Sequence, residues 1–411
     1  MRVCVVGSGA REHALAVALG RNAEVVVTPG NAGIPGSVAQ PPEEVDADLF
    51  VIGPETPLVE GLADYLRGAG HLVFGPGSDG ARLEGSKAWM KQLLREASVP
   101  TARYAAFTEV EPALAFLGDL PGPFVVKTDG LAAGKGVLVT ESFEDAAADV
   151  RAKLSGQAFG DAGRRVVIEE YLDGPELSLL CICDGQRAVA LAPAQDFKRL
   201  ADADAGPNTG GMGAYSPVPL AGQDVVDEVL ERAVHPTLTA LQARGIDYRG
   251  VLYAGIMLTS QGPKVLEYNV RFGDPEAQVV LPRYAGNLSE LLEEAASGRL
   301  ESQPQFDDRA AVTVVLATEG YPLHPRTGDV IDGLDAADAL DDVLVFRAGV
   351  ALDGAGRLVT AGGRVLAVTG MGGDLAAARA TAYDAVARIS WSGMQYRTDI
   401  AAGAVVMEGT R

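Results

Sequence analysis

Over residues 1–80, short apolar runs alternate with stretches of helical pattern: "VCVVG", "EHALAVALG", "EVVVTPG", "DLFVIGPE", "PLVEGLADYLRGAG" and "HLVFGP". Strands separated by amphipathic helices predict a parallel sheet with right-handed crossovers. A ligand of such a sheet binds beyond the carboxyl ends of its strands. Those ends carry Gly7, Gly9, Pro29 to Gly33, and Gly53 to Glu55. One crossover is unusual. Residues 30–48, "GNAGIPGSVAQPPEEVDAD", hold three prolines that lack a donor and three glycines that oppose helix propagation. At most one helical turn is expected between 31 and 47.

The remaining chain changes style twice. "GPGSDGARLEGSKAWMKQLLREASVP" reads as a linker and a helix ended by Pro100. From about residue 103, "FVVKTDGLAAGKGVLVT" reads as a hairpin, "SFEDAAADVRAKL" as a capped helix and "RRVVIEEYLDGPELSLLCICDG" as two strands. A larger unit follows, closing with "GVLYAGIMLTSQGPKVLEYNVRFGDPE" and the helix "NLSELLEEAASG". After about 304 come the strands "AAVTVVLAT", "VLVFRAGVAL" and "GRVLAVTGMG" and the helix "DLAAARATAYDAVARI". A chain of 411 residues exceeds one ordinary core. The division expected is 1–102 as a parallel α/β domain with a linker helix and 103–172 as a small α+β lid. A larger α+β catalytic unit (173–303) and a β-rich C-terminal domain (304–411) complete the multidomain α/β and α+β class.

Composition narrows the partners. The net charge is −21, from 34 basic and 55 acidic residues. So acidic a surface repels phosphate backbones, which argues against nucleic acid and anionic membranes. No long apolar run opens the chain, so a cytoplasmic protein is expected. Cys181 and Cys183 lie two apart in "LSLLCIC", on one side of a strand, and are expected as buried thiols. With four histidines and no CxxC, zinc is disfavoured.

"GSGARE" (7–12) opens like the dinucleotide fingerprint, but Glu12 stands where the third glycine belongs. The second strand ends "VVVTPGN", with no acid for a ribose hydroxyl, which disfavours a dehydrogenase. A tight strand-to-helix turn explains Gly7 and Gly9 equally well, and a phosphate on the helix N-terminus stays open.

The strongest chemical signal is "KVLEYNVRFGDPE" (264–276). Alternation places Glu267, Asn269 and Arg271 on one strand face and Leu266, Tyr268 and Val270 on the other. A carboxylate and a carboxamide two apart are hard oxygen ligands suited to Mg²⁺ on nucleotide phosphates. Arg271 can meet a transferring phosphoryl group with planar donors. In the hairpin, Lys127 ends one strand and Lys135 sits in the glycine turn, so a flap can cover a triphosphate. "VIEEYLDGPELS" then reads as an extended linker along a base, with Glu176 within reach of a ribose. Taken singly, Glu169, Glu170 and Glu176 each read better as plain surface charge.

Together these features resemble the ATP-grasp superfamily. In chain order, "REHA", "PGNAG", "GPE-x-PL", "LEGSKA", "DGLAAGKGV", "GPNTGGMGAYSP", "EYNVRFGDPE" and "RTGDVI" resemble, over essentially the whole chain, the phosphoribosylamine–glycine ligase family. The resemblance implies a pre-ATP-grasp domain, a flap and a catalytic unit. It implies that ATP phosphorylates glycine and that phosphoribosylamine attacks the glycyl phosphate. Lys87, Lys127, Gly134, Lys135, Gly136, Glu169, Glu170, Tyr171, Leu172 and Glu176 would hold ATP. Glu267 and Asn269 would bind Mg²⁺ or Mn²⁺. Arg271 would steady the acyl phosphate with Lys135, and Asp274 would meet the glycine ammonium. Phosphoribosylamine would lie among Gly9, Arg11, Glu12, His13, Asn31, Glu55, Asp196, Lys198, Gly210, Gly211, Met212 and Gly213.

The chain departs from that family's usual residues at Ser8, Ala10, Thr128 and Phe197, and more widely in the short crossover. The alternatives are another ATP-grasp carboxylate–amine ligase and a nucleotide-binding regulator without catalysis. A monomer is expected.

Overall fold

The computed structural model describes residues 1–131, 136–156 and 164–409. Its first sheet is parallel throughout. Strands Arg2–Gly7, Glu24–Pro29, Leu49–Ile52 and Val73–Phe74 lie in the spatial order second, first, third, fourth. Their interior residues are near-continuously buried, as a sheet covered on both faces requires. Between the second and third strands the only helical segment is the single turn Pro42–Glu44, as the prolines and glycines predict. The chain instead folds back so that Ser37 bridges in parallel to Val27. That short return covers the open edge of the second strand.

The helix Lys87–Glu96 leads to the lid, where the predicted hairpin is present. Strands Tyr104–Phe107, Val166–Glu170, Phe124–Thr128 and Val137–Thr140 form an antiparallel sheet in that spatial order. Helices Val110–Gly118 and Phe143–Leu154 pack on one face through Leu117, Val126, Val150 and Ile168. Alternation therefore turns Lys127 and Glu169 to the opposite face. Gly134 and Lys135 lie outside the described residues.

A second antiparallel sheet orders Ala188–Ala190, Glu176–Asp184, Arg249–Thr259 and Gly262–Asn269. Thr101 bridges to Val265, so the chain just before the lid's first strand is tied to this sheet. The last sheet combines Gln195–Asp196 and Gly213–Ser216 with Ala310–Ala317, Arg364–Gly372 and Val343–Arg347. Its first two strands come from the middle of the chain, and sequence pattern alone did not mark them. They draw the loop between them against the C-terminal residues.

Candidate functional site

On the strand Gly262–Asn269, Glu267 stands opposite Gly255 and Asn269 opposite Tyr253. The face separation holds for Tyr268 and Val270, which are buried in the main core. It fails for Leu266. A bulge between Gly255 and Ile256 leaves Leu266 as an extra residue, so it turns away from Tyr268 and packs with Ala102, Leu172 and Met257. The result is a small apolar cluster on the lid side of the strand.

Arg271 follows on the same face, but it is not a free cation. Nη2 donates to Glu84 Oε1 at 3.0 Å and to Asn269 Oδ1 at 3.3 Å, and Nε donates to Glu55 Oε2 at 3.3 Å. Burial works against the charge, yet Glu84 and Glu55 hold the guanidinium above the usual arginine range. Glu84 was missed. It lies in "LEGSKA", and its second oxygen accepts from Val270 N at 2.8 Å. Glu55, expected beside the sugar phosphate, is a partner of Arg271, with Arg11 Nη1 4.0 Å away.

Glu169 is neither linker nor surface charge. It belongs to the strand Val166–Glu170, is 2% exposed, and its Oε2 accepts from Lys127 Nζ at 3.1 Å and Lys91 Nζ at 2.9 Å. Burial opposes its charge, but the two ammonium groups hold the carboxyl below the usual glutamate range. Burial likewise lowers Lys91, to about 8 even beside Glu169. Lys127 stays above the ordinary lysine range because Glu169 and Glu267 outweigh its burial. Lys91 was also missed; the signal was its position one helical turn after Lys87. The other oxygen, Glu169 Oε1, is buried with no hydrogen-bond partner among the described residues. Such an orphaned acceptor is costly unless a ligand supplies a donor. Lys127 Nζ also lies 3.4 Å from Leu266 O, so the charges border the apolar cluster.

Other nucleotide candidates surround this point. Lys87 Nζ donates to Gly130 O at 3.3 Å, and Gly136 O accepts from Thr128 N at 2.8 Å. Glu170 Oε1 accepts from Arg103 N at 3.0 Å, Tyr171 is exposed and Leu172 is buried. Glu176 Oε2 is paired with Lys198 Nζ at 2.6 Å. No cluster of three or more His, Cys, Asp or Glu among the described residues is placed to hold a metal ion. Glu267 and Asn269 thus offer two hard oxygens. That fits Mg²⁺, which keeps water and phosphate in most of its positions.

The expected sugar-phosphate residues behave differently. Glu12 Oε2 accepts from Gly9 N at 2.6 Å and Oε1 from Arg11 Nε at 2.6 Å. Its side chain fills the space beside Gly7 and Gly53, where an added Cβ would come within 2.5 Å and 2.1 Å of it. Glu12 is therefore the helix's own cap, which is why no third glycine is needed. His13 Nδ1 accepts from Arg347 N at 2.9 Å; burial, then the Arg347 charge, lowers it to about 4. Asn31 donates to Ser8 O at 2.8 Å and Ala348 O at 3.0 Å and accepts from Gly33 N at 2.8 Å. Met212 is fully buried and cannot offer its side chain to a substrate. Gly213 lies in a strand, its carbonyl accepting from Phe197 N.

Two smaller groupings do form, one around Lys198 and one around Asp274. Lys198 Nζ meets Asp196 Oδ1 at 2.7 Å as well as Glu176. Burial raises Asp196 to about 7, Lys198 opposing and Glu276 and Glu176 assisting. Asp274 Oδ2 accepts from Arg364 Nη2 at 2.8 Å, and Oδ1 from Gln278 Nε2 at 2.7 Å. Arg364, another residue missed, also donates to Gly210 O and Asp274 O. A cavity of about 270 Å³ opens between Ser8, Gly9, Asp274, Tyr321, Gly349 and Arg364.

Comparison with known proteins fits this order of parts. Family models for the phosphoribosylglycinamide synthetase N domain, ATP-grasp (A) domain and C domain match residues 1–84, 85–277 and 311–403. The chain belongs to the phosphoribosylglycinamide synthetase family. Within that family, the phosphoribosylamine–glycine ligase of Streptomyces coelicolor is 49% identical, over 98% of this chain and 99% of its own. The crystal structure of the Thermotoga maritima phosphoribosylamine–glycine ligase superposes with a TM-score of 0.85 at 36% identity, covering 98% of this chain and 100% of that one. A biotin carboxylase from Campylobacter jejuni shares the fold alone, with a TM-score of 0.70 at 16% identity over 96% and 92% of the two chains. No described helix is long and apolar enough to cross a membrane, and Cys4, Cys181 and Cys183 are free and buried.

Proposed function

We propose that this family member is an ATP-dependent ligase that joins glycine to 5-phosphoribosylamine, giving glycinamide ribonucleotide, ADP and phosphate in purine biosynthesis. The observation that carries the reading is the convergence of Glu267, Asn269 and Arg271 with Lys127 and Glu169 beside one apolar cluster. Leu172, Met257, Ala102 and Leu266 offer a slot for adenine, and Glu169 Oε1 offers its buried acceptor to the exocyclic amine. Lys127, with Lys87 and the flap, meets the phosphates. Glu267 and Asn269 would hold a divalent metal, which would supply positive charge to offset that building on the transferring phosphoryl group. Mg²⁺ is the metal their oxygens suit, with Mn²⁺ as a substitute.

Arg271 is fixed by Glu55 and Glu84 with its guanidinium beside Asn269. It therefore meets the carboxylate of glycine as phosphate is transferred, stabilising the acyl phosphate without moving. Asp274, at the cavity wall, attracts the glycine ammonium. Phosphoribosylamine approaches past Gly9 and the Asp196–Lys198 loop, and its neutral amine attacks the acyl carbon as phosphate leaves. Holding the amine in line contributes more here than removing its proton. The 1–102, 103–172, 173–303 and 304–411 division, a cytoplasmic location and a monomer complete the reading. The test is ADP release with glycine and phosphoribosylamine added singly and together. Turnover is expected only with both, and equal turnover without glycine would sink the assignment.

A further inference from the structure

Arg397 is a charged side chain that the reaction does not call on, yet it is 1% exposed. Its guanidinium forks onto Asp399, with Nε to Oδ1 and Nη2 to Oδ2 both at 2.7 Å. Nη1 reaches Asp204 Oδ1 at 2.6 Å and Arg199 O at 3.3 Å. The guanidinium carbon sits 4.8 Å from the centre of the Phe197 ring. Every one of these contacts beyond Asp399 is made to the loop that runs from Asp196 to Gly213. The neighbours of Arg397 repeat the pattern: Thr398 N donates to Asp202 Oδ1 at 2.7 Å, and Ala203 N donates to Asp399 Oδ2 at 2.9 Å. On its other side the segment is fastened to the helix Leu375–Val386, through Arg379 to Thr398 O and Ile400 O and through Tyr383 to Arg397 O.

The loop so held is strained. Ala203 and Asp204 have φ of 55° and 51°, a left-handed pair without glycine. Such a conformation is unfavourable for a residue that carries a side chain and persists only where the surroundings enforce it. Phe197, under which Arg397 stacks, lies between Asp196 and Lys198, which pair with each other, Lys198 also reaching Glu176. We propose that Arg397, with Thr398 and Asp399, is a positioning clamp that sets the Asp196–Lys198 loop for phosphoribosylamine. It touches no substrate; it acts through the loop's backbone and the Phe197 ring. The inference rests on the functional reading above, which assigns that loop to the amine substrate.

Three variants test it. Arg397→Ala removes the stack and the fork, Arg397→Lys keeps the charge alone, and Asp202→Ala loosens the clamp from an exposed carboxylate without burying a lone charge. The KM for phosphoribosylamine should rise about tenfold in Arg397→Ala and less in the other two, with KM for ATP and glycine within about twofold of the parent. Amide exchange over 195–213 should quicken in the same order. Equal rises in all three KM values, or unchanged exchange in Arg397→Lys and Asp202→Ala, would overturn the clamp. Those two variants decide the matter if Arg397→Ala does not fold. Parent protein that releases ADP without phosphoribosylamine would instead overturn the functional reading, whatever the variants do.

Discussion

The strand face that ends in Arg271 and the loops beyond the first sheet were both read as ligand sites, and they use polar residues in opposite ways. On the strand, Glu267 and Asn269 project from a rigid ladder. The buried charges beside them are paired so as to leave something over, such as Glu169 Oε1, which has no partner among the described residues. In the loops, Glu12, His13 and Asn31 spend their hydrogen bonds on their own backbone or on the C-terminal sheet. A polar residue in a motif can therefore serve the ligand or the shape that receives it. Its hydrogen-bond ledger tells which.

The sharpest way to break this comparison is Arg271→Ala. If the strand face carries the chemistry, turnover should fall by about 10²-fold or more while ATP binding changes little. Removing Arg271 leaves Glu55 and Glu84 facing one another, so a lower melting temperature is expected too. Near-parental kcat in a folded variant would mean the chemistry has been misplaced. Glu267→Gln should be milder. It keeps the strand's shape and removes one negative charge from the metal's ligands, so activity should drop about tenfold and recover in part at high Mg²⁺. The same metal titration should leave Arg271→Ala unrescued, and rescue of both would erase the distinction between their roles.

The order of elements was legible because period-2 and helical patterns separate cleanly over residues 1–80 and 264–276, and the short crossover because proline and glycine forbid a helix there. Three things were not. The bulge at Leu266 changes which face a side chain takes, and nothing in "KVLEYN" marks an extra residue on one strand only. Glu84 and Arg364 become site residues by coming from other parts of the chain to meet Arg271 and Asp274, contacts that no local pattern encodes, and Lys91 meets Glu169 with only its place a helical turn after Lys87 to mark it. Met212 sits in the loop motif that most resembles the family, but its side chain turns into the core.

On the loop side, Asn31→Ala should leave kcat for saturating substrates within about threefold while lowering stability by roughly 1–3 kcal/mol, since it strands Ser8 O, Ala348 O and Gly33 N. Thermal melting beside steady-state rates checks this. A large loss of kcat with unchanged melting would move Asn31 into the catalytic set and weaken the contrast.

His13 gives the smallest effect at neutral pH and the cleanest sign. Burial, then the charge of Arg347, lowers its folded value from 6.5 to about 4, so the ring is neutral while Nδ1 accepts from Arg347 N. As pH falls through 6.5 the unfolded chain takes up a proton that the folded chain refuses until about 4. Stability from this group is thus complete above 6.5 and is lost on going down to 4, by roughly 3 kcal/mol in all at 1.36 kcal/mol per unit. His13→Asn keeps an acceptor near the Nδ1 position and removes the titration. The difference in unfolding free energy between parent and variant should then be nearly flat above pH 7 and shift steadily in favour of the variant from pH 6.5 to 4. Turnover at neutral pH should stay close to the parent. A constant difference across that range would mean the ring is not held neutral, and a collapse of kcat would mean His13 meets the substrate after all.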